Sequence, residues 1–193
     1  VIFGMMAAYP LARYQFRWRE PLFLVFVLGL LFPATVAIIP LFILISKDLH
    51  MGNTWWGVAL PQAAFALPMT VVILRPFLMA LPKELEEAAI VDGAGIFTVF
   101  GRIMLPLAGP VTATVAVLTF LAAWNSFLIP LVLTFGAPDQ RTLAVGMLAF
   151  VGTNETDWPG MAAAAALSLV PVIVFFFFVQ RFFVEGVAGA IKA

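Results

Sequence analysis

The chain has 193 residues, 64% of them hydrophobic and 10% charged, with basic and acidic residues in balance and a mean hydropathy of +1.11. Uncharged runs of the length found here exceed what a soluble core needs, so a water-soluble globular domain is excluded and an integral membrane protein is implied. Thiol chemistry is excluded by the absence of Cys, and nothing in the charge balance marks nucleic acid as a partner.

In chain order, Val1 to Ala12 is apolar but too short to span, and it opens on Val rather than on Met and a leader. The expectation is a span whose first part is missing, with no signal peptide. Four longer charge-free intervals follow: Pro21 to Ser46, Met51 to Leu74, Ile103 to Pro138 and Trp158 to Gln180. Each exceeds the roughly 20 residues a helix needs to cross hydrocarbon. Pro33 and Pro40 interrupt the first, Pro61 and Pro68 the second, Pro130 the third and Pro171 the last. Two readings of these prolines stay open, packing kinks or hinges along a pathway between helices. Small residues, Gly160, Ala162 to Ala166 and Ser168, predict close packing along one half of the last span, and Phe175 to Phe178 predict a lipid- or partner-facing other half. The fold class expected is therefore an all-α integral membrane bundle, since no ten-residue alternating pattern suggests a barrel.

Basic residues orient it. With the Arg13 to Arg19 loop inside, alternation puts Arg13, Arg17, Arg19, Arg75, Lys83, Arg102, Arg181 and Lys192 inside and Lys47 and Arg141 outside. The C-terminus is then cytoplasmic, and Lys47 to Thr54 and Gly136 to Asp157 face outward. Trp55 and Trp56 read as interfacial anchors on that outer side, and Arg75, near the inner end of its span, as a snorkelling side chain. Asp139, Arg141, Glu155, Asp157 and Trp158 read either as solvated loop residues or as contacts for an external protein.

Between the second and third full intervals lies a polar island, residues 82–106. Pro82 suits a helix start, and Glu84, Glu86 and Glu87 offset the positive end of the helix dipole. Leu85, Ala88, Ala89 and Asp92 share one face with a small, flat centre. Gly93, and Gly95 after it, suit a left-handed stop. A second short helix over Ile96 to Met104 is predicted to break at Leu105-Pro106. The segment reads as two short helices lying on the cytoplasmic surface; a solvated linker is the alternative.

The chemistry that is missing narrows the function. One His and no carboxylate cluster at ligand spacing leave no metal site, and the four full intervals hold no ionisable residue to carry a coupling ion. No Lys sits in a phosphate-cradling Gly-rich loop, so any ATP must be bound by another polypeptide.

Glu87-Ala88-Ala89, three residues, Gly93, nine residues, Ile103, one residue, Leu105-Pro106 resembles the EAA loop of bacterial ABC importer permeases at every signature position. Pro82 to Glu86 and Asp92-Gly93-Ala94 resemble the MalG-like, carbohydrate-uptake subgroup. So do Ala8-Tyr9 with Ala12-Arg13-Tyr14 and Phe16, Trp124-Asn125-Ser126-Phe127, and Gln180-Arg181-Phe182-Phe183-Val184 with Gly186. The resemblance implies one permease domain over residues 1–193, N-terminally incomplete, whose five segments correspond to spans two to six of a six-span type I importer permease. It implies a bacterial inner-membrane, multi-pass subunit that is not itself an enzyme. The implied partners are a second homologous permease, two cytoplasmic ATPase subunits holding ATP and Mg, an extracytoplasmic solute-binding protein and the lipid bilayer. Glu87, Ala88, Ala89, Asp92, Gly93, Ile103, Leu105 and Pro106 would form the coupling region held by the ATPase, and no cofactor or metal would bind this chain. Gly189, Ala190 and Lys192 are implied as a tail contact with the ATPase. The tail departs from the family pattern: it is one residue shorter after Gly186, has Glu185 where a basic residue is common, and ends on Ala193 rather than Gly.

Trp124, Asn125 and Ser126 are the candidate translocation residues, with Trp124 able to stack on a sugar ring; the other reading has Asn125 bonding between helices and Trp124 packing. A sugar or sugar derivative is the implied solute. Glycerol 3-phosphate or a polyol are alternatives within the same class, and a secondary carrier, a channel or an assembly subunit outside it.

Overall fold

A computed structural model describes residues 1–152 and 155–191, with side chains described to residue 180. Helices carry almost all of it; among the described residues the β-structure is a single isolated bridge between Val151 and Thr156. The chain divides into two compact units, one of residues 1–31, 66–119 and 179–193 and one of residues 32–65 and 120–178.

The first unit is built around α1 (Ile2–Arg13), α2 (Arg19–Leu31) and the later turns of α4 (Trp55–Ala80). On α1 the buried residues Met5, Ala8, Tyr9 and Ala12 repeat at three and four positions, and on α4 Val71, Leu74 and Leu78 do the same, which gives each helix one apolar stripe. The stripes meet in one cluster with Val99, Met104, Ala108 and Val115 from the later helices. Gly4 sets how closely α1 approaches α4: a Cβ there would lie 2.1 Å from the Thr70 methyl carbon. Gly29 of α2 likewise faces Pro68, whose ring carbon would be 3.0 Å from an added Cβ.

The second unit has a smaller core of Ile45, Val58, Ile129 and Leu133. The expected span Pro21 to Ser46 is not one helix: α2 stops at Leu31, and after a bend at Phe32, Pro33 and a turn the chain resumes as α3 (Ile38–Phe42), continuing through a π-helical turn over Ile43–Asp48. The 103–138 interval is also divided, into the last residues of the stretch Ile96–Leu107, α8 (Gly109–Trp124) and α9 (Leu128–Leu133). Pro61 and Pro68, by contrast, lie inside the continuous α4, and, beyond the one-turn α10 (Leu143–Gly146), Pro171 lies inside α11 (Trp158–Ile191). Thr54 caps α4 by accepting the Gly57 N–H at 3.0 Å, and Asp157 caps α11 by accepting the Gly160 N–H at 2.9 Å.

Among the described residues two helices are long and apolar enough to cross a membrane, Trp55–Ala80 and Trp158–Gln180, and a pair bent by 76°, Ile96–Leu107 with Gly109–Trp124, qualifies together. The small residues of α11 pack closely within this chain only in part: Gly160 lies against Phe150, Ala164 is buried and Ser168 is half-buried, its carbonyl accepting from Trp124, whereas Ala162, Ala163, Ala165 and Ala166 are exposed. Phe176 and Phe178 are exposed as expected.

Candidate functional site

The polar island folds as the sequence predicts at its start and at its first stop. Helix α5 (Glu84–Val91) follows Pro82 and Lys83, with Glu84, Glu86 and Glu87 in its opening turn. It ends in a Schellman arrangement: Gly93, at φ +84°, donates to the Ile90 carbonyl at 3.0 Å, and Ala94 donates to the Ala89 carbonyl at 2.9 Å. Ala89 and Ala94 accompany this with a shared apolar contact on the core. Gly95 is not a second left-handed stop. It is extended, at φ −75° and ψ 163°, and opens α6 (Ile96–Val99).

From α6 the helix runs through a π-helical turn over Phe100–Met104 into α7 (Leu105–Leu107), so Pro106 does not break it. Pro106 lies at the start of α7, where a missing N–H removes little, and the sharp bend falls afterwards, at Ala108. Ile103 packs on the core, Met104 is fully buried, and Leu105 and Pro106 are exposed.

The face of α5 differs from the one expected. Ala88 and Ala89 do not form one flat surface: Ala89 turns inward onto the first unit's core, whereas Glu87, Ala88 and Asp92 are exposed. The outward surface is instead apolar, with Ile90 and Val91 on α5 and Ile96 and Phe97 on α6; Val91 is 87% exposed and Phe97 89%. Spacing alone could not reveal this, because the inward side is chosen by a polar contact.

That contact is Arg13. Its side chain is 2% exposed, and its Nε pairs with the Glu86 carboxylate at 2.9 Å. Its terminal nitrogens donate to the carbonyls of Leu78 at 3.2 Å, Leu81 at 2.8 Å and Pro82 at 3.2 Å. Those carbonyls belong to the end of α4 and the turn after it, where a helix leaves acceptors unsatisfied. One guanidinium thus closes α4 and fixes the first turn of α5 to the end of α1. Tyr9 supports it, edge-on to Tyr14 at 5.7 Å and tilted against Phe100 at 5.2 Å.

Arg75 also departs from expectation. It does not snorkel: it is 6% exposed, donates from Nε to the Leu11 carbonyl at 3.0 Å, pairs with Glu20 and lies over the Phe23 ring at 4.0 Å. Arg19 donates to the same Leu11 carbonyl at 2.9 Å. Two cations therefore meet the carboxyl end of α1, where helix dipole and open carbonyls favour positive charge.

Trp124, Asn125 and Ser126 sit at the end of α8 and in the gap before α9, but they do not converge. Trp124 reaches α11, donating from Nε1 to the Ser168 carbonyl at 3.2 Å, in a stack in which Phe120 lies 5.7 Å from Trp124 and 4.2 Å from Phe175. Asn125 is exposed and bonds its own helix, Nδ2 to the Leu121 carbonyl at 2.9 Å. The bond between helices is thus made by Trp124 and not by Asn125. Ser126 is half-buried, its backbone N–H on the Ala123 carbonyl. Of the tail residues, Gly189 and Ala190 lie in α11, and Lys192 is outside the described residues.

Apolar spanning helices joined by a capped surface helix pair define a polytopic helical membrane protein, and comparison gives it a lineage. Residues 1–189 match the family described as binding-protein-dependent transport system inner membrane component, and the chain belongs to that family. It is 36% identical, over its whole length, to the probable ABC transporter permease protein YurM of Bacillus subtilis. Over its whole length it is also 38% identical to the diacetylchitobiose uptake system permease protein NgcG of Streptomyces coelicolor. It spans 64% and 62% of the lengths of these two relatives. Among solved structures, a bacterial ABC transporter involved in the import of the acidic polysaccharide alginate has a chain of the same fold, with a TM-score of 0.73 at 23% identity, covering 94% of this chain and 68% of that one.

Proposed function

We propose that this chain is a membrane-spanning permease subunit of an ATP-driven importer for a sugar or sugar derivative. It works with a second, homologous permease, two cytoplasmic ATPase subunits that bind ATP and Mg, and an extracytoplasmic solute-binding protein, in a bacterial inner membrane with its C-terminus in the cytoplasm. The observation that carries this reading is the α5–turn–α6 segment. Its underside is tied to α1 and α4 through Arg13 and Glu86, and its outer side presents Ile90, Val91 and Phe97 to solvent. Exposed apolar side chains outside the spans, on a rigidly held support, suit docking into a partner's cleft. Glu87, Ala88 and Asp92 add polar contacts around that apolar centre; Gly93 provides the turn, while Ala89, Ile103, Leu105 and Pro106 hold the segment's shape. The sugar class is supported by what the relatives are called, a diacetylchitobiose uptake permease and an alginate importer among them.

The mechanism follows from the ties. ATP-driven closure of the ATPase pair moves the docked α5, and Arg13 passes that displacement to the ends of α1 and α4, altering which side of the membrane the pathway faces. The test is Val91→Glu in the assembled transporter. The expected result is loss of the ATPase on co-purification and loss of ATP-driven uptake, while the solubilised permease keeps its unfolding temperature. Retention of both would overturn the docking surface.

A further inference from the structure

The second unit contains a cavity of about 300 Å³ among the first turns of α4, the end of α8 and the segment 140–143. Gln62, Trp124, Arg141 and Thr142 are among its lining residues, with no carboxylate among them. Four buried side-chain polar atoms lack a hydrogen-bond partner among the described residues, and three of them, Gln62 Nε2, Arg141 Nε and Thr142 Oγ1, belong to residues lining this one cavity. An unsatisfied buried donor costs about 1–3 kcal/mol, so three around one hollow is an arrangement a purely structural site does not favour. The size is at the lower end of ligand pockets, about that of one pyranose ring. Trp55, Ala59 and Gln140 also line a neighbouring hollow of about 680 Å³, which gives a route in.

We infer that this cavity is a saccharide subsite of the permease. Gln62 and Arg141 donate to hydroxyl oxygens of the ring and Thr142 exchanges a hydrogen bond with a third. Trp124, its indole N–H already held by the Ser168 carbonyl, offers apolar surface to the C–H face of the sugar. Arg141 keeps one terminal nitrogen on the Phe135 carbonyl at 3.3 Å, which anchors the guanidinium while Nε serves the ligand. The positive charge, with no lining carboxylate, rejects cationic solutes. This assignment rests on the importer reading above. It differs from the sequence expectation in leaving out Asn125 and Ser126, which do not line the cavity.

The test uses the complete transporter in vesicles, with radiolabelled diacetylchitobiose, trehalose and a cyclic monosaccharide as probes. Gln62→Leu and Thr142→Val are compared with wild type in uptake and in ATP hydrolysis stimulated by the loaded binding protein. Expected is a fall of about fivefold to tenfold in solute moved per ATP hydrolysed, the effect of one lost hydrogen bond, with stimulated hydrolysis within twofold of wild type. Uptake per ATP equal to wild type in both variants overturns the subsite and leaves the importer standing. A wild-type complex that hydrolyses ATP but moves none of the probes overturns the saccharide reading and the subsite with it.

Discussion

The two units of this chain hold their buried polar groups differently, although the first also leaves one unpaired, the Thr112 hydroxyl. In the first, each buried cation described is fully engaged: Arg13 makes four contacts with Glu86 and three carbonyls, and Arg75 is held by Leu11, Glu20 and Phe23. In the second, Gln62, Arg141 and Thr142 keep unsatisfied atoms around a cavity. Satisfied polar groups fix helix ends in one geometry, and the three unsatisfied ones gathered at one cavity are those the saccharide proposal uses. On the importer reading, the first unit would transmit force and the second would meet solute.

The contrast predicts a graded series of stability effects. The largest belongs to Arg13→Ala, which leaves Glu86 and the ends of α4 without partners; a loss of about 3–5 kcal/mol is expected, read as a large drop in the unfolding midpoint of the solubilised permease. Arg13→Lys should recover only part of it, because an ammonium cannot reproduce the planar fork. Next comes Gly4→Ala, where an added methyl meets Thr70 and forces α1 away from α4 at a cost of about 1–3 kcal/mol. Gly93→Ala is smaller, about 1–2 kcal/mol, because no atom lies within 4 Å of the added carbon and only the positive φ resists it. Faster hydrogen exchange at the Ala94 amide would report the loosened turn, and Gly93→Asn should reverse much of it. The smallest effect is Thr142→Val: removing an unpaired hydroxyl is expected to leave the midpoint within about 0.5 kcal/mol of wild type or to raise it. A fall as large as that of Gly4→Ala would erase the contrast between the units.

Much of the surface segment was legible in the sequence. Pro82 and the acidic first turn mark where α5 begins, and Gly93 marks where it ends, because these signals act over a few neighbouring residues. The face of α5 was not, since Ala89 packs inward on the core while Glu86 beside it meets Arg13, 73 residues away. Nor was the fate of each proline. Pro33 coincides with a break, while Pro61, Pro68 and Pro171 sit in unbroken helices. A missing N–H disrupts a helix only where packing fails to hold the flanking turns, and packing is non-local. The cavity was half legible: Trp124 attracted notice through its motif, but Gln62, Arg141 and Thr142 come together only in the folded chain.

Arg13 has a mechanical consequence. A single planar group grips α5, the end of α4 and the turn between them, so a displacement of α5 is shared with α4 through Arg13. On the importer reading the loop would act as a crank keyed to its shaft, a push on its outer face passing towards the α1–α4 seam, where Gly4 lies against Thr70.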